Sequence, residues 1–163
     1  MAGKREKTAG DGLPRQEGPY RFDWLKREDL PQVARLEAVF FPEPLDLESL
    51  QRLWAMPITC YIGVKKDELL AGYIGFQLFG PMAHTISMGV HPEHRRAGLA
   101  TLIQETADRV AASRGARWFS GEVRVSNTAQ LKFLLEKLGW IQIGVCPRFF
   151  KNGEDAVVVW HWL

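Results

Sequence analysis

One segment constrains the fold more than any other: a strand-like run that leads through a short turn into the longest predicted helix. The alternation predicts a strand over 84–90, and an amphipathic pattern predicts a helix over 99–112, with Arg95, Arg96 and Gly98 between them. Free N–H groups at a helix start carry positive partial charge, and glycine lets a backbone approach an anion closely. Arginines add donors that bind phosphate oxygens in pairs. The segment therefore predicts a pyrophosphate-binding turn, with a tight turn carrying solvated arginines as the alternative.

The composition is that of an ordinary globular domain: 163 residues, 46% hydrophobic, 25% charged, with a formal net charge of +2. So small a charge excludes a basic shell for nucleic acid, though not a local patch. No apolar run approaches the roughly 18 residues of a membrane helix, and the N-terminus does not resemble a secretory signal. Two cysteines are too few for a disulfide scaffold. His91 and His94 have no third ligand nearby, so we expect no metal site. We expect a cytoplasmic protein that binds neither nucleic acid nor membrane.

The chain divides into a short tail and one predicted domain. Residues 1–19 are rich in glycine, proline and charge, and their few apolar side chains predict a flexible tail. Residues 20–163 are predicted as a single domain with the element order β-α-α-β-β-β-α-β-α-β-β. Helices follow the fourth and fifth strands, which favours a parallel pair inside an otherwise antiparallel sheet. We therefore expect an α/β fold with four helices and a mixed, mostly antiparallel sheet of about seven strands.

The turn resembles a known motif. Arg95-x-x-Gly98-x-Ala100, after a strand ending in Val90-x-Pro92, is similar to motif A of the GNAT N-acetyltransferases, and the element order fits that family over 20–163. The resemblance implies the GNAT (acyl-CoA N-acyltransferase) fold, in which the parallel pair splays apart, and acetyl-CoA as co-substrate without a metal. In the family the turn binds the pyrophosphate, and the preceding strand binds the pantetheine arm. Carried over, the cofactor-binding residues are Met88, Gly89, Val90, Arg95, Arg96, Ala97, Gly98, Leu99 and Ala100.

A second segment, Glu122-Val-Arg-Val-Ser-Asn127, lies between a predicted strand and the next helix. It resembles the Glu-Val-Arg-x-x-Asn segment of the RimI-like and Ard1-like N-terminal protein acetyltransferases, in which the Glu is the proposed general base and the Asn contacts the CoA arm. Independently, a carboxylate at a strand end can take a proton from an ammonium group through water. The alternatives are that Glu122 only pairs with Arg124 or Arg117, and that Asn127 is only a helix N-cap.

The following helix departs from the family pattern. Relatives carry Leu-Tyr-Glu-x-Leu-Gly-Phe, whose tyrosine is the acid that reprotonates the leaving thiolate, whereas this chain reads Phe133-Leu-Leu-Glu-Lys-Leu-Gly-Trp140. Leu134 or Leu135 stands at the tyrosine position, depending on the direction of counting, as if one residue were inserted. Neither can donate a proton. The acid is then dispensable, replaced by water or by Tyr61 or Tyr73, or the protein is a weakly active or inactive acetyl-CoA-binding module.

Two loops resemble the substrate side of the same subgroup. The segment 148–156 is similar to a Tyr-Tyr-x-x-Gly-Glu-Asp-Ala loop, with Phe149 and Phe150 replacing the tyrosines. The loop carrying Phe41 and Glu43 is similar to a Leu-Pro-Glu-Asn-Tyr loop at the peptide entrance. These resemblances imply acetyl transfer to the N-terminal α-amine of a protein or peptide, with a ribosomal protein as one candidate. An α-amine, with a pKa of about 7.7–8.0 against about 10.4 for lysine, suits a weak base. Because the tyrosines are lost, a small-molecule amine remains the alternative acceptor.

Overall fold

The computed structural model describes residues 10–163, which form eight strands and four α-helices. The strands are β1 (Arg15–Glu17), β2 (Tyr20–Trp24), β3 (Thr59–Lys66), β4 (Leu69–Phe79), β5 (Met82–Val90), β6 (Trp118–Arg124), β7 (Ile141–Cys146) and β8 (Ala156–Trp162). The helices are α1 (Leu30–Phe40), α2 (Leu47–Ala55), α3 (Leu99–Ser113) and α4 (Thr128–Lys132), the last continuing into a π-helix at Phe133–Lys137. One sheet contains all strands in the order β1-β2-β3-β4-β5-β6-β8-β7. Every neighbouring pair is antiparallel except β5 and β6. The predicted mixed sheet with one parallel pair is confirmed.

The sheet has one strand more than expected because β1 forms inside the segment predicted as a flexible tail. It pairs along its length with β2. Just before it, the buried carboxylate of Asp11 accepts hydrogen bonds from Ser113 (2.8 Å) and Arg114 (3.2 Å) at the end of α3. The tail predicted over 1–19 is therefore wrong for its described part, since contacts distant in sequence hold that part in place. Residues 1–9 lie outside the described residues.

The helices pack on the two faces of the sheet. On one face, which we call the α3 face, Leu99, Ile103 and Val110 of α3 join a large buried cluster. The opposite face, the α1 face, carries a smaller cluster in which α1 and α2 pack over Tyr61 and Tyr73. Helices α1 and α2 pack on β3, β4 and β5. Successive strand residues point to opposite faces, so alternate residues of β6 belong to each face.

The parallel strands β5 and β6 separate part-way along their length. They pair at three positions, the last of which joins His84 to Ser120, yet β5 continues to Val90 and β6 to Arg124. The register between β4 and β5 shifts at Ile86, which has no partner on β4. Such a bulge bends a strand and increases its twist. Beyond His84, β5 therefore leaves β6 and opens a gap, which is the predicted splayed pair.

Candidate active site

A cavity of about 940 Å³ opens at the gap between β5 and β6. Its walls come from both strands, the loop after α1, the turn before α3, and α4. Most of the side chains predicted for the site lie around this cavity: Phe41, Glu43, Met88, Gly89, Val90, Arg95, Arg96, Gly98, Leu99, Ala100, Glu122, Asn127 and Phe150. Ala97 and Phe149 do not line it, and both are exposed. The fold thus brings together segments that are far apart in the sequence.

The turn before α3 is shaped to hold an anion. Arg96 (φ 65°) and Gly98 (φ 72°) both adopt left-handed backbone conformations, and Gly98 is the N-cap of α3 without a side-chain cap. Left-handed residues in a turn direct main-chain N–H groups into a concave surface, and the helix start adds partial positive charge. A Cβ placed on Gly98 would meet no atom within 4 Å, so the surface is open. The residues present therefore fit a pyrophosphate group.

The turn is braced against α1. The Arg95 guanidinium lies 5.4 Å from the centre of the Phe40 ring, and its Nε donates to the Val90 carbonyl at 3.4 Å. The same ring lies against Gly89, where a Cβ would come within 2.3 Å of it. Gly89 is thus required for the close approach of α1 to β5. Arg95 is partly committed to this packing, whereas Arg96 is exposed at the cavity.

Glu122 meets a histidine at the base of the gap. Its Oε2 lies 2.6 Å from His84 Nε2, and both side chains are partly buried. A carboxylate only accepts hydrogen bonds, so in a neutral imidazole Nε2 carries the hydrogen and Nδ1 is left as an acceptor. The alternative that Glu122 pairs with Arg124 or Arg117 is wrong: its ion-pair partner among the described residues is His84.

Arg124 connects the two loops at the mouth of the cavity. Its guanidinium donates to Glu43 (2.7 Å) in the loop between α1 and α2. It also donates to Glu154 (3.0 Å) and Asn152 (3.1 Å) in the loop between β7 and β8, and lies 3.9 Å from the centre of the Phe150 ring. Hydrogen bonds from Ser126, together with Arg124, lower the pKa of Glu154 to about 2. The two loops are therefore held together by charge across the mouth.

Comparison with known proteins identifies the family to which this fold and cavity belong. The model of the acetyltransferase (GNAT) family matches residues 23–140. The chain belongs to the GNAT acetyltransferase family. It is therefore an N-acetyltransferase, of a family that takes the acetyl group from acetyl-CoA and transfers it to an amine.

Several relatives of this GNAT chain are named as N-acetyltransferases of a ribosomal protein or as N-alpha-acetyltransferases. A Bacillus subtilis (strain 168) protein, named as a candidate [ribosomal protein bS18]-alanine N-acetyltransferase, is 31% identical over 138 residues, which cover 83% of this chain and 91% of that protein. The N-alpha-acetyltransferase daf-31 of Caenorhabditis elegans is 34% identical over 136 residues, covering 79% of this chain and 75% of that protein. The ribosomal-protein-S18-alanine N-acetyltransferase of Escherichia coli shares the fold, with a TM-score of 0.78 at 21% identity over 88% of this chain and 93% of that chain.

The helix that departs from the GNAT pattern contains the π-helix Phe133–Lys137. A π-turn accommodates one extra residue in a helix, which agrees with the inserted residue inferred from the sequence. Leu134 is buried and lines the cavity. Neither tyrosine considered as a replacement acid lines the cavity. Tyr61 and Tyr73 are buried on the α1 face, and the nearest of their groups to the cavity is the Tyr73 hydroxyl, whose partner Glu37 is part of the wall. Burial and the nearby Glu37 charge raise the pKa of Tyr73, whose hydroxyl donates to Glu37 at 2.6 Å.

The sequence analysis missed His84. The signal was present, because His84 is the first residue of the strand predicted over 84–90, which was expected to pair in parallel with the strand of Glu122. Asn127 caps α4 by accepting from Gln130 N at 3.2 Å, and it also lines the cavity, so the cap is confirmed and a CoA contact stays a prediction.

His94, one of the two histidines considered as metal ligands, contacts the Tyr20 hydroxyl (3.1 Å). Within residues 10–163, no cluster of three or more metal-ligating side chains is present. None of the helices described is both long and apolar enough to cross a bilayer.

Proposed function

We propose that this protein transfers the acetyl group of acetyl-CoA to the N-terminal α-amine of a protein or peptide, with a ribosomal protein as one candidate. The observation that carries the proposal is that Glu122, which is hydrogen-bonded to His84, lines the same cavity as the anion-binding turn. Two relatives, at 31% and 34% identity, are named for N-terminal acetylation, which supports the choice of acceptor. The cytoplasmic location expected from the sequence stays a prediction.

The acyl donor is held by residues of β5 and the turn. Met88, Gly89 and Val90 lie on the edge of β5 that has left β6, so their main-chain groups can bind the pantetheine arm. The N–H groups between Arg95 and Ala100 bind the pyrophosphate. When bound, acetyl-CoA supplies an activated thioester.

The Glu122–His84 pair accepts the proton that the acceptor amine loses. Nδ1 of His84 has no protein partner among the described residues, and Glu122 holds the ring in place through Nε2. The proton moves to Nδ1 or to the free oxygen of Glu122, directly or through water. A terminal amine, with a pKa of about 7.7–8.0, is partly neutral at physiological pH, so a base of moderate strength suffices.

The mouth of the cavity favours a cation with an apolar neighbour. Glu43 and Glu154 share the single charge of Arg124, which leaves one net negative charge among these three groups. An approaching ammonium group is attracted to this side. Phe41 and Phe150 form the apolar part of the wall. No side-chain acid is assigned to the thiolate, because Leu134 occupies the wall of the cavity next to α4, and water supplies that proton.

The decisive experiment is mass spectrometry of a peptide library incubated with the protein and acetyl-CoA, with a panel of free amines alongside. We expect acetylation of peptide N-termini and about a hundredfold lower kcat for Glu122→Gln, with acetyl-CoA affinity by calorimetry unchanged. Acetylation of free amines alone would replace the proposed acceptor with a small molecule. If acetyl-CoA binds but no turnover occurs and Glu122→Gln changes nothing, the protein is an acetyl-CoA-binding module.

A further inference from the structure

Glu37, in the last turn of α1, is a buried carboxylate without a cationic partner. Its side chain is buried, and no ion pair within residues 10–163 includes it. A carboxylate withdrawn from water costs free energy unless other groups satisfy its charge and its hydrogen bonds. An apolar residue would fill this position at a lower cost, so the hydrogen bonds of the carboxylate have to account for its presence.

Glu37 holds both ends of the loop between α1 and α2. Its main-chain carbonyl accepts from the N–H of Phe41 at 2.9 Å, and its Oε2 accepts from the N–H of Leu45 at 3.2 Å. Between these two residues, Pro42 and Pro44 have no N–H to donate. One residue of α1 therefore supplies a main-chain anchor at the start of this loop and another near its end.

The second carboxylate oxygen of Glu37 connects the loop to the centre of the sheet. Oε1 accepts from the hydroxyl of Tyr73, a fully buried residue of β4, at 2.6 Å. Tyr73 is the register partner of Gly89, on the part of β5 that has left β6. Burial and the charge of Glu37 raise the pKa of Tyr73, so its hydroxyl stays protonated and remains a donor. The carboxylate thus links the loop to the sheet beside the gap.

The loop held in this way forms part of the cavity wall. Residues 41–46, which we call the acceptor loop, contribute Phe41, Glu43 and Leu45 to that wall. Glu37 also belongs to the wall, but only 1% of it is exposed, which leaves almost no surface for a ligand to contact. Its position therefore suits a residue that acts through the acceptor loop and not by touching the substrate.

We propose that Glu37 is a positioning residue, which holds the acceptor loop where the loop binds the acceptor next to the gap. The inference rests on the proposed function, in which the acceptor amine enters at the mouth of the cavity. The donor is held by β5 and the turn before α3, to which the Glu37 carboxylate makes no hydrogen bond. Loss of its hydrogen bonds therefore weakens acceptor binding and leaves acetyl-CoA binding intact.

The test compares Glu37→Met, Glu37→Gln and Tyr73→Phe in steady-state kinetics with one peptide acceptor. Both replacements of Glu37 keep its length, but only glutamine keeps an oxygen that accepts from Leu45 N and an amide that donates to Tyr73. We expect the acceptor KM to rise about tenfold in Glu37→Met, with kcat within about twofold of the wild type. Glu37→Gln should stay within about threefold of the wild-type KM, and Tyr73→Phe should lie between them.

Gln32→Met is the matched control. Gln32 is also on α1 and accepts from a main-chain group of the sheet, Leu70 N, at 2.9 Å, but it does not line the cavity. This variant should lose stability to urea as Glu37→Met does, yet keep the wild-type acceptor KM. Calorimetry should give the same acetyl-CoA affinity for all variants, which also shows that they are folded. If Glu37→Met does not fold, Tyr73→Phe carries the same comparison.

Hydrogen exchange of the Leu45 amide gives a second readout that needs no turnover. It should be about tenfold faster in Glu37→Met than in the wild type and nearly unchanged in Glu37→Gln. An unchanged acceptor KM in Glu37→Met, an equal rise in Gln32→Met, or unchanged exchange at Leu45 would overturn the proposal. A wild type that acetylates no peptide contradicts the proposed function, and the exchange rates then decide by themselves whether Glu37 holds the acceptor loop.

Discussion

Nε2 of His84 lies 2.6 Å from Oε2 of Glu122. His84 is the last residue of β5 that still pairs with β6. The two residues are 38 positions apart in the chain. Their contact depends on the parallel pairing of the two strands at this level, and the gap begins immediately beyond it. The position at which β5 and β6 separate therefore determines where His84 and Glu122 lie.

We expect His84 and Glu122 to act as one unit. His84→Ala and Glu122→Gln should each lower kcat by about a hundredfold, and the double variant should lose little more than the worse single one, since coupled residues are not additive. Steady-state kinetics with one peptide acceptor measures this. A double variant whose loss is the product of the two single losses would show that the residues act independently.

Arg96 combines a charge with a strained backbone, and two substitutions separate these effects. Arg96→Ala and Arg96→Gly both remove the guanidinium, so both should weaken CoA binding in calorimetry. Only glycine adopts a φ of 65° without cost, so Arg96→Gly should be about 1 kcal/mol more stable to denaturant than Arg96→Ala. Equal CoA affinity in the wild type and both variants would argue against a phosphate contact by this side chain.

Two glycines on the separating strands should tolerate a methyl group very differently. At Gly89 a Cβ would lie 2.3 Å from the Phe40 ring, so Gly89→Ala forces α1 away and should cost about 1–3 kcal/mol. At Gly121 the nearest atom is 3.6 Å away, an ordinary contact, so Gly121→Ala serves as the matched control with little loss. Urea denaturation gives both free energies. Similar losses at the two positions would contradict the close packing of Phe40 on β5.

Glu154 should make the loop between β7 and β8 sensitive to acid. Its pKa is lowered from 4.5 to about 2 by hydrogen bonds from Ser126 and by Arg124. A lowered folded-state pKa contributes stability above the unfolded value, and that contribution is lost as the pH falls from about 4.5 toward 2. The wild type should therefore exceed Glu154→Gln in thermal midpoint at pH 6, with the difference shrinking below pH 4.5. A difference independent of pH would mean that the carboxylate charge is not involved.

The anion-binding turn was readable from the sequence because its physics is local. A strand, two arginines, a glycine and a helix start follow one another within a single segment, and the structure places them as expected around one cavity. Glu122 was likewise found at a strand end. The inserted residue in the last helix was also visible by counting, and it forms a π-turn.

Contacts between distant segments were not readable in this way. The tail was misjudged because Asp11 is held by Ser113 and Arg114, about a hundred positions along the chain, and composition carries no sign of that. Phe149 was expected at the site on the same grounds as Phe150, yet only Phe150 reaches the cavity, since adjacent residues in a turn point in different directions.

The sequence by itself determined the order of elements, the family and the turn that suits a pyrophosphate, because each depends on residues close together in the chain. Only the tertiary structure decided that Glu122 meets His84, that Arg124 joins two loops, and that Trp118, Trp160 and Trp162 pack together on one face of the sheet. The physical reason is strand register: it sets which side chains stand opposite one another, and it depends on the packing of the whole sheet.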